Sequence, residues 1–194
     1  EESKKIIDNK KLPIFGNKDY DSSIDDDTVY HKIPFWEFSN QDGEQINSNQ
    51  YKGKVSLVDF FFTSCPTICP KMTLNMRDIQ DELIKDCMNE VSLLSFTVDP
   101  KRDSAKRLKE YAKTYNINNI NWDLITGEQS EIYNLGIKGF LVPNQQDALA
   151  PGGFLHSEKM ILIDKKGRIR GYYDGTDTLN IPKIVQHIKQ LSKE

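Results

Sequence analysis

The sequence predicts an α/β fold: a central mixed β-sheet flanked by helices, with an N-terminal β-hairpin extension. Two observations carry this class. Short apolar runs of strand length alternate with segments of helical period along the chain. The last two strand signals, "MILID" and "RIRGYYDG", are separated only by "KKG", so the series closes in an antiparallel hairpin.

The elements follow in order. Residues 1–30 contain "DYDSSIDDDTVYH", an acidic, weakly apolar stretch that gains little from packing, and they read as a flexible polar tether. Residues 31–194 form one domain. Alternation in "IPFWEF" predicts a strand, and the Asp-Gly in "NQDGEQIN" predicts the turn of a hairpin. Residues 55–62 predict a buried central strand. Residues 70–86 predict a helix, with Met72, Met76, Ile79 and Leu83 on one face. "VSLLSFTV", residues 91–98, is a second buried strand. Asp103 is placed to cap a helix whose Leu108, Tyr111, Ala112 and Tyr115 share a face. "WDLITG" is a short strand or loop, and residues 128–135 a short helix. "LVPNQQDALAPGGF" breaks periodicity and reads as a long loop. After the closing hairpin, Asn180 is placed to cap a last helix that buries Ile181, Ile184, Val185 and Ile188. No internal repeat or second domain is visible.

Composition narrows the functional classes. The 194 residues carry 26 Lys+Arg against 29 Asp+Glu, a net charge of −3, which provides no basic footprint for nucleic acid. Charged residues at 28% and hydrophobic residues at 37% place the chain among soluble globular proteins. No apolar run approaches the roughly 20 residues that span a bilayer. The longest, residues 55–62, is interrupted by Asp59. Because the chain opens on Glu1, an upstream leader or membrane anchor is expected to have been removed.

The chemistry concentrates in "DFFFTSCPTICPKMTLNM", residues 59–76. Cys65 and Cys69 are a local pair and Cys87 is left over, an odd count that does not read as a disulfide scaffold. The strand ends near Thr63 and the helix begins near Pro66 or Pro70, since proline is tolerated in a first turn. A dithiol between the first central strand and its helix is the thioredoxin arrangement. The helix N-terminus favours thiolate over thiol there, by roughly 0.3–1 kcal/mol. Cys-x-x-x-Cys departs from the usual Cys-x-x-Cys of thiol exchange. Residues i and i+4 share a helical face, so two sulfurs can converge on one ion, and a disulfide is still allowed. Two thiolates suit a soft ion, Cu(I) first among them.

Imidazole also suits copper, and the chain has 3 histidines. His31 lies at the tether edge and reads as structural. His187 lies on the last helix and reads as surface. His156 follows the long loop and precedes "MILID", which in a thioredoxin-like sheet faces the dithiol, so it reads as a metal ligand delivered by the loop at residues 142–154. Met72 and Met76 are soft donors near the dithiol, but their spacing fits core burial better. Phe60, Phe61 and Phe62 read as core or as a low-dielectric wall. Cys87 reads as a small buried residue at a helix end, on the order of 25 Å from Cys69 at 1.5 Å rise per residue.

Taken together, "DFFFTSCPTICPKMT", "SFTVDPKRDSAKRLKEYA" and "FLHSEKMILIDKKGRIRGYYDG" resemble the SCO/SenC family of copper-binding assembly proteins, from about Ile33 to the last helix. The resemblance implies a membrane-tethered protein facing outside the cytoplasm. It implies a copper metallochaperone that binds Cu(I) or Cu(II) through Cys65, Cys69 and His156. It further implies help in maturing the dinuclear copper centre of cytochrome c oxidase, with a copper-accepting oxidase subunit and a copper-donor protein as partners. The aspartate of the family's "VDP" segment falls on Asp99, either a group beside the ligands that tunes them or a structural turn before Pro100. Cys87 is an addition that the family motif does not require.

Two further readings stand beside this one. The first is a thiol–disulfide oxidoreductase that reduces the cysteines of a copper-site partner, with Cys65 and Cys69 as its redox pair. The second, weaker, is a peroxidase-like thiol enzyme. Thioredoxin-type oxidoreductases place a cis-proline before the strand that faces the dithiol. Here that stretch reads Gly152-Gly153-Phe154-Leu155-His156, which favours a metal over general exchange. Binding copper and shuttling electrons are not exclusive for one dithiol.

Overall fold

The computed structural model of this chain describes residues 11–20, 28–146 and 154–194. Two short strands, β1 (Lys18–Tyr20) and β2 (Thr28–Tyr30), pair antiparallel. The expectation of a tether over residues 1–30 falls partly outside the described residues. Those that are described are structured and docked. Phe15 N–H donates to the Ile169 carbonyl at 2.9 Å, and the buried Arg170 donates to the carbonyls of Leu12 (2.8 Å) and Pro13 (3.0 Å). This docking runs through backbone groups, which leave no trace in composition.

The expected N-terminal hairpin is β3 (Glu37–Asn40) and β4 (Gln45–Asn47). Gly43 turns it at φ +78°, a conformation that glycine adopts without a Cβ penalty. The chain continues through β5 (Ser56–Phe61), α1 (Ile68–Lys85), β6 (Ser92–Thr97), α2 (Ala105–Thr114), β7 (Trp122–Thr126) and α3 (Gln129–Asn134). A π-turn over Leu135–Gly139 leads to β8 (Asn144–Gln146). Then come β9 (Phe154–His156), β10 (Lys159–Ile163), β11 (Ile169–Asp174) and α4 (Ile181–Lys193). The segment expected to be one structureless loop therefore contains a small antiparallel pair, β8 with β9. Its first strand, Asn-Gln-Gln, has no apolar alternation that could have announced it.

Seven strands form the main sheet in the order β11-β10-β5-β6-β7-β3-β4. The central β5, β6 and β7 are parallel, and the outer pairs are antiparallel. All residues of β5 and β6 are buried, which is why those runs are nearly continuously apolar. Successive residues face opposite sides. Phe60 packs on Phe96 (5.5 Å between centroids) and Phe140 (5.5 Å), while Phe61 turns the other way, onto Tyr111 of α2 (5.3 Å). Met72, Met76, Ile79 and Leu83 of α1 are buried, as their spacing predicts.

Two expected caps are corrected. Asp103 does not cap α2. Ser104 does, its hydroxyl accepting from Arg107 N–H. Asn180 does not cap α4, because its own backbone is already helical. Its amide instead donates to the Asp174 carbonyl at 3.1 Å, and Asp177 caps the short turn ahead of it. Of the face expected on α4, Ile184, Val185 and Ile188 are buried and Ile181 only half-buried.

Cys87 is at a helix end as expected, but it is exposed rather than buried. It follows the C-cap of α1 with φ +57°. Its N–H reaches the Ile84 carbonyl (3.0 Å) and Met88 N–H reaches the Leu83 carbonyl (2.9 Å), the pair of bonds that closes a helix over a left-handed residue. Glycine is the usual occupant there. Cys87→Gly is expected to raise stability by about 0.5–1 kcal/mol, read as a higher urea midpoint. A lower midpoint would mean that the thiol contributes packing the structure does not suggest.

Candidate metal centre

The dithiol sits where β5 hands over to α1. Cys65 N–H donates to the Phe62 carbonyl (3.2 Å), turning the chain back on itself, and α1 starts three residues later at Ile68. Pro70 is the third helical residue and leaves no helical hydrogen bond unmade. Cys69 is 0% exposed and Cys65 6%. The two side chains share a hydrogen bond, and the Thr67 hydroxyl lies 3.8 Å from Cys65 Sγ. Only Cys69 is helical, so the expectation of two sulfurs on one helical face is corrected. The tight turn, and not i,i+4 geometry, brings them together.

The push of the helix dipole toward thiolate is outweighed at Cys69. Burial, followed by the hydrogen bond from Cys65, holds the Cys69 thiol far above its ordinary value of 9.0. A backbone hydrogen bond from Phe62 pulls the other way, and the negative charge of nearby Asp59 raises it further. The helix dipole, at roughly 0.3–1 kcal/mol, does not compete with full desolvation. The reduced site therefore holds a neutral Cys69 thiol. In the unfolded chain this thiol ionises near 9.0. There the unfolded state binds fewer protons than the folded one, so stability falls as pH rises through that value. The metal-free reduced protein is expected to lose about 1.4 kcal/mol per pH unit above it, and Cys69→Ser should flatten that slope in urea melts.

Asp103 is the residue that reading by sequence misassigned. It is 0% exposed and aims its carboxylate at the dithiol turn. Thr63 donates its N–H to Oδ2 (3.0 Å) and its hydroxyl to Oδ1 (2.6 Å), while the Thr97 hydroxyl donates to Oδ2 (2.6 Å). Arg107 Nε in turn donates to the Thr63 hydroxyl (3.1 Å). Asp103 thus ties the segment two residues before Cys65 to the end of β6. Asp59, 1% exposed inside β5, is close enough to raise the pKa of both Cys69 and Tyr111. A charged residue in an otherwise apolar strand run was its signal.

Asp99 is buried in the turn after β6. Arg102 pairs with its carboxylate, and its carbonyl accepts from the N–H groups of Arg102 (3.1 Å) and Asp103 (2.9 Å). Burial lifts its carboxyl above the ordinary range, and Arg102 pulls it partway back.

His156 ends β9, its backbone paired with Asn144. Its side chain lies outside the described residues. The backbone path is clear: β10 runs antiparallel to β5 with Ile161 opposite Val58. This direction puts the start of β10, Lys159, toward the end of β5 that leads into Cys65, and His156 lies three residues upstream of it in the separate β8–β9 pair. The other two histidines are engaged elsewhere. His31 donates from Nε2 to the Gly139 carbonyl (2.7 Å), as its structural reading expects. His187, read as surface, is half-buried and bonded to the Tyr173 hydroxyl (2.7 Å). Among the described residues, no group of three His, Cys, Asp or Glu side chains is gathered as a metal site.

With this geometry in view, the SCO1/SenC family model matches residues 25–193. The chain belongs to the SCO1/SenC family. Among solved SCO1/SenC structures, a family lipoprotein from Bacillus anthracis shares 30% identity at a TM-score of 0.77, over 84% of this chain and 95% of that one. BsSco, a member of the Sco family of cytochrome c oxidase assembly proteins in which a disulfide switch is identified, shares 34% at 0.75, over 84% and 94%. Yeast Sco1 with copper bound shares 25% at 0.66, over 82% and 89%. The mixed sheet and flanking helices are the thioredoxin-like arrangement expected of an SCO1/SenC chain.

Proposed function

We propose that this chain is a copper-binding assembly protein that holds its cargo ion on Cys65, Cys69 and His156. The observation that carries this reading is the mutually hydrogen-bonded Cys65–Cys69 pair, buried at the end of β5 toward which β10, starting three residues after His156, also points its first residue. The donor set fits copper: two soft sulfurs for Cu(I), with an imidazole nitrogen for Cu(II). Yeast Sco1 with copper bound supports the choice of ion. BsSco supports a role in cytochrome c oxidase assembly; in this reading a copper-accepting oxidase subunit would receive the ion and a donor protein would deliver it. The lipoprotein from Bacillus anthracis supports tethering to a membrane; in this reading the tethered domain would lie outside the cytoplasm. Among the described residues, no helix is long and apolar enough to cross one. Asp99, held by Arg102, would tune the site through its buried charge.

Thiol exchange is the second reading, favoured by the contact between the two thiols. Oxidation would join Cys65 to Cys69, releasing two protons and two electrons to the partner disulfide, and would withdraw both sulfurs from metal binding.

The deciding experiment is His156→Ala. Cu(II) prefers tetragonal sites with nitrogen and oxygen donors, whereas Cu(I) accepts two sulfurs. The variant is expected to lose Cu(II) affinity strongly while keeping appreciable Cu(I) binding and the Cys65–Cys69 disulfide. An unchanged Cu(II) electron paramagnetic resonance spectrum would remove His156 from the site and leave thiol exchange as the better account. A second expectation follows from the neutral Cys69 thiol. Cu(I) loading at pH 7 should release the proton of the Cys69 thiol, and affinity should rise with pH. Loading without proton release in buffers of different ionisation heat would contradict it.

A further inference from the structure

A cavity of about 380 Å³ opens at the pole of the sheet opposite the dithiol. It lies at the start of β5, near Lys54 and Ser56, whereas Cys65 follows the other end of that strand, roughly 17 Å away at 3.3 Å per residue. Its inner wall is apolar, including Trp36, Val58 and Phe140. Lys32, Lys52, Lys54, Lys165 and Lys166 also line it, all of them exposed.

Three loops bring these lysines together. Gly53 N–H donates to the Lys165 carbonyl (3.2 Å), and Ile33 N–H to the Gly167 carbonyl (2.9 Å). Among the described residues none of the five lysines enters an ion pair, although Lys165 Nζ donates to the Ser192 carbonyl (2.6 Å) and Lys54 Nζ lies 5.9 Å from the centre of the Tyr51 ring. The carboxylate beside them, Asp164, is already engaged by Arg168 (2.7 Å) and Arg170 (3.0 Å). In a chain of net charge −3 this is a local concentration of positive charge.

We infer that this cavity binds an anionic amphiphile, a phosphate on the lysines with an aliphatic group against the apolar wall. The ammonium groups around the rim favour an anion, and the wall adds an apolar part. The volume is that of a small-molecule site and excludes a folded partner. A stacked nucleobase does not fit, because Phe38 and Tyr51 stack on Trp36 at 5.9 and 5.6 Å and occupy its ring faces. Either a phospholipid headgroup with its first chain carbons or a free alkyl phosphate has this chemistry.

The test uses the whole chain at low ionic strength. Hexyl phosphate is expected to bind one per chain by titration calorimetry, with inorganic phosphate at least tenfold weaker. The exposed-lysine variant Lys52→Glu/Lys54→Glu/Lys166→Glu should weaken hexyl phosphate at least tenfold. Its Cu(I) stoichiometry, set at the other pole, should not change. Lys101→Glu/Lys106→Glu/Lys113→Glu makes the same charge change on and beside α2 and should have little effect. Co-sedimentation with phosphatidylglycerol vesicles but not phosphatidylcholine vesicles would assign the ligand to the membrane. Hexyl phosphate binding without vesicle binding would assign it to a free amphiphile. Equal affinity for inorganic and hexyl phosphate, or equal losses in the two lysine variants, would overturn the site.

Discussion

Serine at both Cys65 and Cys69 is expected to abolish stoichiometric Cu(I) binding by the reduced protein. The two thiols touch each other and are nearly enclosed, so a hydroxyl in either place offers a hard donor where a soft one stood. Removing partners that merely orient metal ligands costs about 10–100-fold in affinity. Losing a ligand should cost more, so each single variant is expected to fall below about one-hundredth of the parent affinity. Titration of the reduced protein against a competing Cu(I) chelator reads this directly. One equivalent of tightly held copper in the double variant would place the site elsewhere. Oxidation should give the same loss by joining the two sulfurs. Mass spectrometry should find the bridge between Cys65 and Cys69, and a dominant bridge to the exposed Cys87 would contradict the fold.

Asp103→Ala is expected to be the most destabilising change at the site. It would strand the Thr63 N–H and the hydroxyls of Thr63 and Thr97, donors that now converge on one fully buried carboxylate at 2.6–3.0 Å. The stranded buried Thr97 hydroxyl costs about 1–3 kcal/mol and the two donors of half-buried Thr63 less each, because water reaches them, giving a loss of about 2–4 kcal/mol. Because Thr63 lies two residues before Cys65, the loss should reach the chemistry. The equilibrium constant for closing the Cys65–Cys69 disulfide against glutathione should shift in the variant, while Ser104→Ala, which removes only the α2 cap, leaves it in place. A loss under about 1 kcal/mol with an unchanged disulfide equilibrium would reduce Asp103 to an ordinary loop residue.

Much of this protein could be read from local pattern alone. The strand runs of β5 and β6 are largely apolar because both faces are buried, and the spacing of Met72, Met76, Ile79 and Leu83 is the periodicity of one helical face. The Asp-Gly at 42–43 marked a turn that only a small backbone makes easily. Cys65, Cys69 and the family resemblance were visible as residues in a row, since chemistry confined to one turn leaves its mark in contiguous sequence. Tertiary structure decided what depends on distant neighbours. Thiol or thiolate at Cys69 is settled by how completely the sheet and α1 exclude water. Asp103 looked like a helix cap because nothing in its own segment announces Thr63, 40 positions earlier. The docking of Arg170 on the Leu12 and Pro13 carbonyls and the meeting of five lysines from three loops are likewise products of the closed sheet. Periodicity records which side of an element is buried. It does not record which residue waits on the other side, and that is set only when the sheet closes.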